Sequence, residues 1–434
     1  MKKTSTALLT LVLALMPLSA QAAAQPFEAM MAQAYATHPA LKAQEAKVAA
    51  VKAGISAARG GYQPSIDAVG GVGRSYQKIA GASPSSGSDT LAPRDMGVTL
   101  VQPVFRGFRT TGAVESAQAN YQATRAGLRS VEQSVLFQAA AAYLDMLKGR
   151  AVLDLVEQNE KVLQEQLTAT QERFKVGEVT KTDVSQAQAR LSAATAARIA
   201  AQGELVNNRA RFLRQIGVPP EELSDPVLAF ALPSSADEVL QIAQKENPDL
   251  IASGLSEKAA KSDITTARGA LLPEINIVGT ASRSWEQNLS IPERTDQSTI
   301  MARVTIPLYR AGVDYAKTDA ARQTANQRRF ELEEVRQQVK EQALAAWQTL
   351  QTTKATIAAT ESEIEAAQSA LYGVKEESKV GSRTTLDILD AQQEALNARV
   401  ALIRARHDEA LAKLSLLAVM GRLTPAALNV PVER

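Results

Sequence analysis

The sequence predicts a mixed α/β chain in which one structural unit occurs twice. Three observations lead to this prediction. The same landmarks return in the same order in both halves of the chain. Each half holds a helical stretch of roughly 65 residues, which would be about 100 Å long at about 1.5 Å per residue. Each half also holds two Pro-bounded segments in which apolar and polar residues alternate, as they do in β-strands.

Two short sequence motifs occur at corresponding positions in both halves of the chain. His-Pro at 38–39 corresponds to Asn-Pro at 247–248, and Lys-Val-Gly at 175–177 corresponds to Lys-Val-Gly at 379–381. Two units with one order of landmarks indicate internal pseudo-symmetry. We therefore divide the chain into a signal peptide (1–24), a first repeat (25–216), a Pro-rich linker (217–235), a second repeat (236–420) and a tail (421–434).

The first 24 residues have the pattern of a secretory signal peptide. Lys2 and Lys3 form its charged start, residues 7–16 are apolar, and small residues allow cleavage after Ala22 or Ala24. The apolar stretch is too short to span a bilayer, and an N-terminal anchor is the alternative. No later run of about 18 apolar residues follows. We therefore expect an exported protein that is soluble or enters a membrane as a β-barrel.

Within each repeat the order is helix, two strands, long helix, turn and helix. In the first repeat we predict a helix at 27–58 broken at Pro39, strands at about 64–76 and 95–105, an exposed loop at 77–94, and helices at 110–174 and 182–215. In the second we predict strands at about 273–285 and 298–308, a polar loop at 286–298, and helices at 313–377 and 385–419. Helices of this length belong to a coiled-coil rod or tube.

Four strands in one chain cannot close a transmembrane barrel, because the smallest such barrels use about eight. The predicted strands have the length that a tilted membrane strand needs, and each hairpin has one apolar and one small or polar face. Closure would require two chains for eight strands or three chains for twelve. Two soluble hairpins that cap a helical bundle are the alternative.

Composition narrows the possible functions. The chain has 48 Lys+Arg and 46 Asp+Glu, so it lacks a charge field that would gather nucleic acid. Without Cys it has no disulfide, Cys–zinc site, thiol nucleophile or lipidated Cys. The two histidines, His38 and His407, are expected to be structural. Since we find no Gly-rich phosphate loop, supported catalytic triad or metal-ligand spacing, we expect neither an enzyme nor a cofactor.

Two segments carry a resemblance to a known family. They are QERFKVGEVTKTDVSQAQAR at 171–190 and VGSRTTLDILDA at 380–391. Together with the repeat order, they make the chain similar to the TolC family of Gram-negative outer-membrane channel proteins. The resemblance implies a homotrimer with a twelve-stranded β-barrel, four strands per chain, in the outer membrane. A long α-helical coiled-coil barrel would continue it through the periplasm, surrounded by a belt made from the linker and the tail.

The same resemblance implies a function and partners. The trimer would be a passive exit duct for efflux or type I secretion. It would be supplied through a periplasmic adaptor (membrane fusion) protein by an inner-membrane pump or ABC transporter. The turns that would meet the adaptor contain Val176, Gly177, Val380 and Gly381. A periplasmic coiled-coil structural or adaptor protein without a membrane barrel is the alternative.

Asp387 and Asp390 match the constriction aspartates of that family. They are three residues apart, so they share one helix face. Three-fold symmetry would gather six carboxylates, which favour cations and bind multivalent cations. Crowding would also raise the pKa of these carboxyls. Two solvated aspartates at a helix start are the alternative.

Arg383 matches the family's gating arginine, and Thr182 and Asp183 match its partners on the neighbouring helix pair. A charged hydrogen bond between them would hold the tip closed. Its loss would let the inner helix pair swing outward. The family's tyrosine in this latch falls at Ser378, whose short hydroxyl reaches less far.

Overall fold

The computed structural model describes residues 26–80, 87–287 and 294–430. The predicted signal peptide lies outside these residues, as do the centres of the two predicted loops. The described elements, in chain order, are α1 (Phe27–Thr37), α2 (Pro39–Arg59), β1 (Ser65–Val72), β2 (Ser75–Ile79), β3 (Gly87–Leu91), β4 (Arg94–Arg106), α3 (Arg109–Lys175), α4 (Lys181–Ile216), α5 (Ala236–Glu246), α6 (Pro248–Arg268), β5 (Glu274–Trp285), β6 (Arg294–Thr305), α7 (Val313–Lys379) and α8 (Thr385–Val419).

The break in the first helix of each repeat occurs at the predicted proline. His38 and Asn247 precede these prolines and are extended, because a residue before proline is disfavoured in the helical region. Each also caps the helix that follows: Nδ1 of His38 accepts from the N–H of Ala40 at 3.3 Å, and Oδ1 of Asn247 accepts from that of Asp249 at 3.0 Å. The chain therefore bends in the same way between the first two helices of each repeat.

Helices α3 and α7 each contain 67 residues and dominate the molecule. At about 1.5 Å per residue each is about 100 Å long. Each turns back through a short loop into a partner, so that α3 packs along α4 and α7 packs along α8. Helix α8 also contacts α3, which brings the two hairpins of helices side by side. Among the described residues, no helix combines the length and apolarity needed to cross a membrane.

The two repeats share one antiparallel sheet with the strand order β1-β4-β5-β6. Strand β4 from the first repeat pairs with β5 from the second, with Arg94 opposite Trp285. A register shift follows Pro103, which cannot donate to the ladder. Strands β1 and β6 form the outer edges of the sheet. The predicted four strands per chain therefore form a single sheet rather than two separate hairpins.

Residues opposite one another across the sheet alternate between an apolar and a polar row. One row consists of Ile66, Leu100, Gly279 and Ile300, and the next consists of Asp67, Thr99, Thr280 and Thr299. Directly opposed residues share a face, and successive residues face opposite ways. Ile66 and Ile300 are 66% and 84% exposed in the single chain. The sheet thus presents an exposed, largely apolar side and a side that carries hydroxyls and a carboxylate.

The prediction of an exposed loop at 77–94 was wrong at both ends. Strands β2 and β3 form an antiparallel hairpin in which Tyr76 lies opposite Thr90, and β4 begins at Arg94. The second loop prediction, 286–298, was also wrong at its end because β6 begins at Arg294. There, Nε of Arg283 donates to Oδ1 of Asp296 across the strands at 2.6 Å. Opposite charges on facing residues support a strand that a polar composition alone does not reveal.

The largest core lies midway along the long helices, where α1, α3, α4, α5, α7 and α8 meet. Tyr143 is fully buried and packs edge-on against Phe27, with 5.3 Å between ring centroids. Its hydroxyl donates to the carbonyl of Ser224 at 2.7 Å and accepts from the N–H of Ser224 at 3.1 Å. Through this pair of hydrogen bonds the helical core holds the segment between α4 and α5.

Tyr143→Phe is expected to lower the free energy of unfolding by about 1–2 kcal/mol, because two half-buried backbone groups of Ser224 lose a hydrogen-bond partner. Urea unfolding of the purified protein in detergent, followed by circular dichroism, measures the change. Tyr76→Phe, at an exposed position on β2, is the matched control and should change stability by less than about 0.5 kcal/mol. Equal stability of the two variants would contradict the anchoring role of the Tyr143 hydroxyl.

Candidate functional site

The candidate site is the end of the helical region where α3 turns into α4 and α7 turns into α8; we call these two turns the tips. At each tip a glycine, Gly177 or Gly381, has a φ near +80°, a conformation that glycine adopts without strain. The valines before them, Val176 and Val380, are 72% and 81% exposed. The predicted contact residues therefore lie at the outermost turns, with two apolar side chains in solvent.

Both tips begin their second helix with the same reciprocal cap. The Thr180 hydroxyl accepts from the N–H of Asp183, and Asp183 Oδ2 accepts from the N–H of Thr180 at 2.8 Å. Thr384 and Asp387 repeat this arrangement, also with 2.8 Å between Thr384 N and Asp387 Oδ2. Each capping box fixes the direction in which the chain leaves the turn.

The caps determine the ionisation of two predicted site residues. Hydrogen bonds from the backbone and the hydroxyl of Thr384 lower the pKa of Asp387, and the charge of Arg383 adds to this. The same bonds from Thr180 lower the pKa of Asp183. Within one chain, the pKa of Asp387 therefore moves opposite to the direction that crowding predicts. Hydrogen bonds to the charged form of a carboxyl favour that form.

Arg383 lies in the second tip and makes an ion pair there. Its Nε donates to Oε2 of Glu377 at 2.7 Å, and this bond raises the pKa of the guanidinium. The first tip has the reverse polarity, since Nε of Arg173 donates to Glu178 at 3.1 Å. Within the described chain, the contacts of Arg383 do not include the predicted partners Thr182 and Asp183. A latch from Arg383 to those partners on the neighbouring helix pair stays a prediction.

Asp387 and Asp390 lie on the side of α8 that faces away from its buried residues. Leu389 is fully buried, and at about 100° per residue Asp387 lies about 160° and Asp390 about 100° from it around the helix, so that neither points in its direction. Asp390 is not a free carboxylate, because its Oδ1 accepts a hydrogen bond from Nη2 of Arg190 on α4. The structure thus brings the two predicted aspartates to one face and adds a basic partner.

An apolar cluster fixes the helices beside this ion pair. Leu389 of α8 packs there with residues of the first helical hairpin, namely Leu163, Leu167, Ala187, Leu191 and Ala194. Arg190 is adjacent to one cluster member and Asp390 to another. Because their neighbours are locked in a common core, the two charged side chains meet in a defined register. The sequence did not reveal this pair, since its partners lie in different repeats.

A second charge cluster lies near the middle of the long helices. Asp145 on α3 contacts three basic side chains: Lys148 Nζ and Arg211 Nη1 at 2.8 Å each, and His407 Nε2 at 3.0 Å. His407 Nε2 is off the line of an ideal hydrogen bond, and Nδ1 lies 2.9 Å from Oδ1 of Asp408. Burial would raise the pKa of Asp145, but its close contacts with His407 and with the charged Lys148 lower it far below its usual range.

The predicted residues supply exposed apolar turns, exposed ion pairs and carboxylates on one helix face. Among the residues that the structure describes, no cluster of three or more His, Asp or Glu side chains is placed to hold a metal ion.

Comparison with known proteins gives a consistent relationship. The sequence pattern of the outer membrane efflux protein family matches residues 30–218 and 239–422. The chain is 34% identical over 406 residues to the outer membrane efflux protein BepC of Brucella suis, covering 93% of this chain and 87% of BepC. It is 24% identical over 408 residues to the outer membrane protein TolC of Escherichia coli, covering 90% and 81% of the two chains.

The fold also matches solved structures. The open state of the MtrE outer membrane channel of Neisseria gonorrhoeae superposes with a TM-score of 0.77 and 20% sequence identity, covering 92% of this chain and 90% of MtrE. At this identity the likeness concerns the fold alone. It confirms the predicted combination of a four-stranded sheet and long helices in each chain.

Asp145→Asn is expected to lower the free energy of unfolding by about 1–3 kcal/mol at pH 7, because the largely buried side chains of Lys148 and His407 lose the carboxylate that they contact. A carboxyl with a depressed folded-state pKa stabilises the protein above its unfolded pKa, about 4, and loses this contribution as the pH falls. The gap between wild type and variant should therefore narrow below about pH 4. Urea unfolding across pH 3–7 measures it.

Asp154→Asn, at an exposed position on the same helix, is the matched control for that series. We expect it to track the wild type at every pH. A constant gap between the wild type and Asp145→Asn down to pH 3 would contradict the ionised Asp145 cluster.

Proposed function

The chain belongs to the outer membrane efflux protein family, and on that basis we propose that three copies form the passive exit duct of a tripartite export system. It is an outer-membrane channel protein of Gram-negative bacteria for efflux or secretion. To this family-level function the proposal adds the trimeric assembly, the gate and the partner proteins. It also holds that the duct does no chemistry and takes its energy from an inner-membrane pump through a periplasmic adaptor.

The observation that carries the proposal is the open four-stranded sheet. Within the part of the chain that the structure describes, its two outer strands, β1 and β6, have no strand paired to their outer edges, and one face of the sheet has exposed apolar rows. Inside a bilayer every backbone donor and acceptor needs a protein partner, which only a closed barrel gives to strands. If β6 of one copy pairs with β1 of the next, three copies close a twelve-stranded barrel with apolar residues toward lipid and hydroxyls toward water.

The helices extend the same ring away from the membrane. Each chain contributes two hairpins of helices, α3 with α4 and α7 with α8, so three copies supply six hairpins. Helices about 100 Å long are long enough to project far into the periplasm. We therefore propose a continuous water-filled path from the tips to the cell exterior. Cargo would pass along it without a binding pocket for one substrate.

At the tips, Asp387 and Asp390 of three copies would form a carboxylate ring at the narrowest point. Such a ring attracts cations and holds multivalent ones. The exposed turns with Val176, Gly177, Val380 and Gly381 would contact the adaptor. The two exposed valines support this role, because an apolar side chain in solvent gains free energy when a partner covers it.

The gate would open and close as the guanidinium of Arg383 changes its carboxylate partner between Glu377 and Asp183. In the closed ring, Arg383 would bond to Thr182 and Asp183 of the neighbouring copy. Within its own chain Arg383 is held by Glu377, which competes for the same group. Exposed ion pairs are individually weak, so the exchange would cost little free energy.

A periplasmic coiled-coil protein without a membrane barrel was the alternative reading. The named relatives are outer membrane proteins, and the shared sheet gives no support to separate soluble hairpins. The single-channel current of the purified protein in a planar bilayer tests the proposal directly. A stable, cation-preferring pore is expected; a folded oligomer that forms no pore would contradict it.

The double variant Asp387→Asn with Asp390→Asn should abolish block by a trivalent cation added from the periplasmic side, because the ring loses all its carboxylates. Asp263→Asn, which removes an exposed carboxylate on α6, is the control and should leave the block unchanged. Bilayer current against the concentration of hexaamminecobalt(III) gives the affinity. Retained block in the double variant would refute the ring.

Arg383→Ser and Glu377→Gln should change the resting conductance in opposite directions. The first removes the latch and should raise the conductance. The second frees Arg383 for the neighbouring copy and should lower it. Single-channel recordings of both variants, beside the wild type, measure these shifts. Two variants that conduct like the wild type would remove Arg383 from the gate, whatever the ring experiment shows.

A further inference from the structure

Arg190 on α4 is the basic residue that makes an ion pair with a predicted constriction carboxylate. Its Nη2 donates to Oδ1 of Asp390, and both side chains are in contact with solvent, at 38% and 53% exposure. The neighbours Leu191 and Leu389 share one apolar cluster, which fixes the approach of α4 to α8. The pair therefore occupies a set place in the structure, unlike a surface ion pair between two freely moving side chains.

The other charges at this tip have different partners. Arg383 is bonded to Glu377, and Asp387 accepts its hydrogen bonds from Thr384. The field of Arg383 reaches Asp387 without an ion pair between them. Of the two ring carboxylates in each chain, Asp390 is thus the one whose charge is compensated by direct contact with a cation.

We propose that Arg190 is a countercharge that sets the selectivity of the constriction. This inference rests on the proposed ring of Asp387 and Asp390. With Arg190 in place, each chain contributes two negative charges and one positive charge, so three copies give a net charge of −3 rather than −6. The ring then still favours cations but holds multivalent ions less tightly and repels anionic cargo less strongly.

A purely structural role for the same pair makes a different prediction. If Arg190 and Asp390 served only to tie α4 to α8, removing either partner would break the same bond and have the same effect. As a countercharge, Arg190 opposes the charge of Asp390. Removing Arg190 makes the ring more negative, whereas removing Asp390 makes it less negative. The sign of the change in selectivity therefore separates the two roles.

The experiment is a set of bilayer recordings on the full-length protein with hexaamminecobalt(III) as the probe. Arg190→Gln should bind the blocking ion about tenfold more tightly and shift the reversal potential in a KCl gradient toward stronger cation preference. Asp390→Asn should weaken block and cation preference. Arg190→Lys keeps the charge and should behave like the wild type. The effect of Arg190→Gln should shrink between 0.1 M and 1 M salt, since exposed charges are screened.

Arg198→Gln is the matched control. Arg198 also lies on α4 and makes an ion pair, in which its Nε donates to Oε2 of Glu160 at 2.6 Å, but Glu160 is not a ring carboxylate. This variant should leave block and reversal potential unchanged. Circular dichroism and the size of the detergent-solubilised oligomer verify that each variant is folded and assembled.

Three results would overturn the inference. Equal shifts in the same direction for Arg190→Gln and Asp390→Asn would identify a structural tie. If Arg190→Gln has the block and reversal potential of the wild type while Asp387→Asn weakens block, the countercharge role is rejected and the carboxylate ring is supported. If Asp387→Asn and Asp390→Asn both leave block unchanged, the ring itself fails, and the role of Arg190 fails with it.

Discussion

The unpaired edges of the four-stranded sheet are the constraint on which the rest of the structure depends. Each residue on an edge strand presents backbone N–H and C=O groups that need a hydrogen-bond partner. In a bilayer only protein can supply that partner, and each group left without one costs several kcal/mol. Strands β1 and β6 carry these edges, and they come from opposite ends of the sheet order. A ring of copies satisfies both edges with one repeated contact. Once the sheets close in a ring, the helices that continue them are placed in a ring as well, and a tunnel follows from the sheet.

The duplication gives the two repeats equivalent backbones, and the side chains at their tips then differ in charge. Both repeats have the same proline kink, a 67-residue helix and a Thr–Asp capping box. Their tips differ in charge order: Arg173 with Glu178 in one repeat, Glu377 with Arg383 in the other. Since the backbone is the same, this difference adds charge chemistry to one tip without disturbing the fold. It places the guanidinium on which the proposed gate relies after the turn of the second tip.

The long helices, the four sheet strands and the positions of the tips could be predicted from the sequence because they follow local periodicity and local turn residues. The hairpin of β2 and β3 could not, because each strand has five residues and Gly, Ser and Asp occupy one of them. The contacts of Arg190, Glu377 and Asp145 also escaped prediction. Two of these involve partners hundreds of residues away in the chain, and their pairing depends on how α3, α4 and α8 pack. The residues of a site can thus be identified from a sequence motif, whereas the charged residues that pair with them can be identified only from the tertiary structure.

The proposed gate and the proposed countercharge have a common physical basis. Both use exposed ion pairs, each worth at most about 1 kcal/mol, at a tip where a buried pair would be far harder to break. Exchanging Glu377 for Asp183 as the partner of Arg383 replaces one such pair with another, so the closed and open rings would differ little in free energy. Ser378 adds no long hydroxyl to favour the closed form. In a ring of three equivalent latches, modest contact energy from an adaptor at the exposed valines would then suffice to shift the balance.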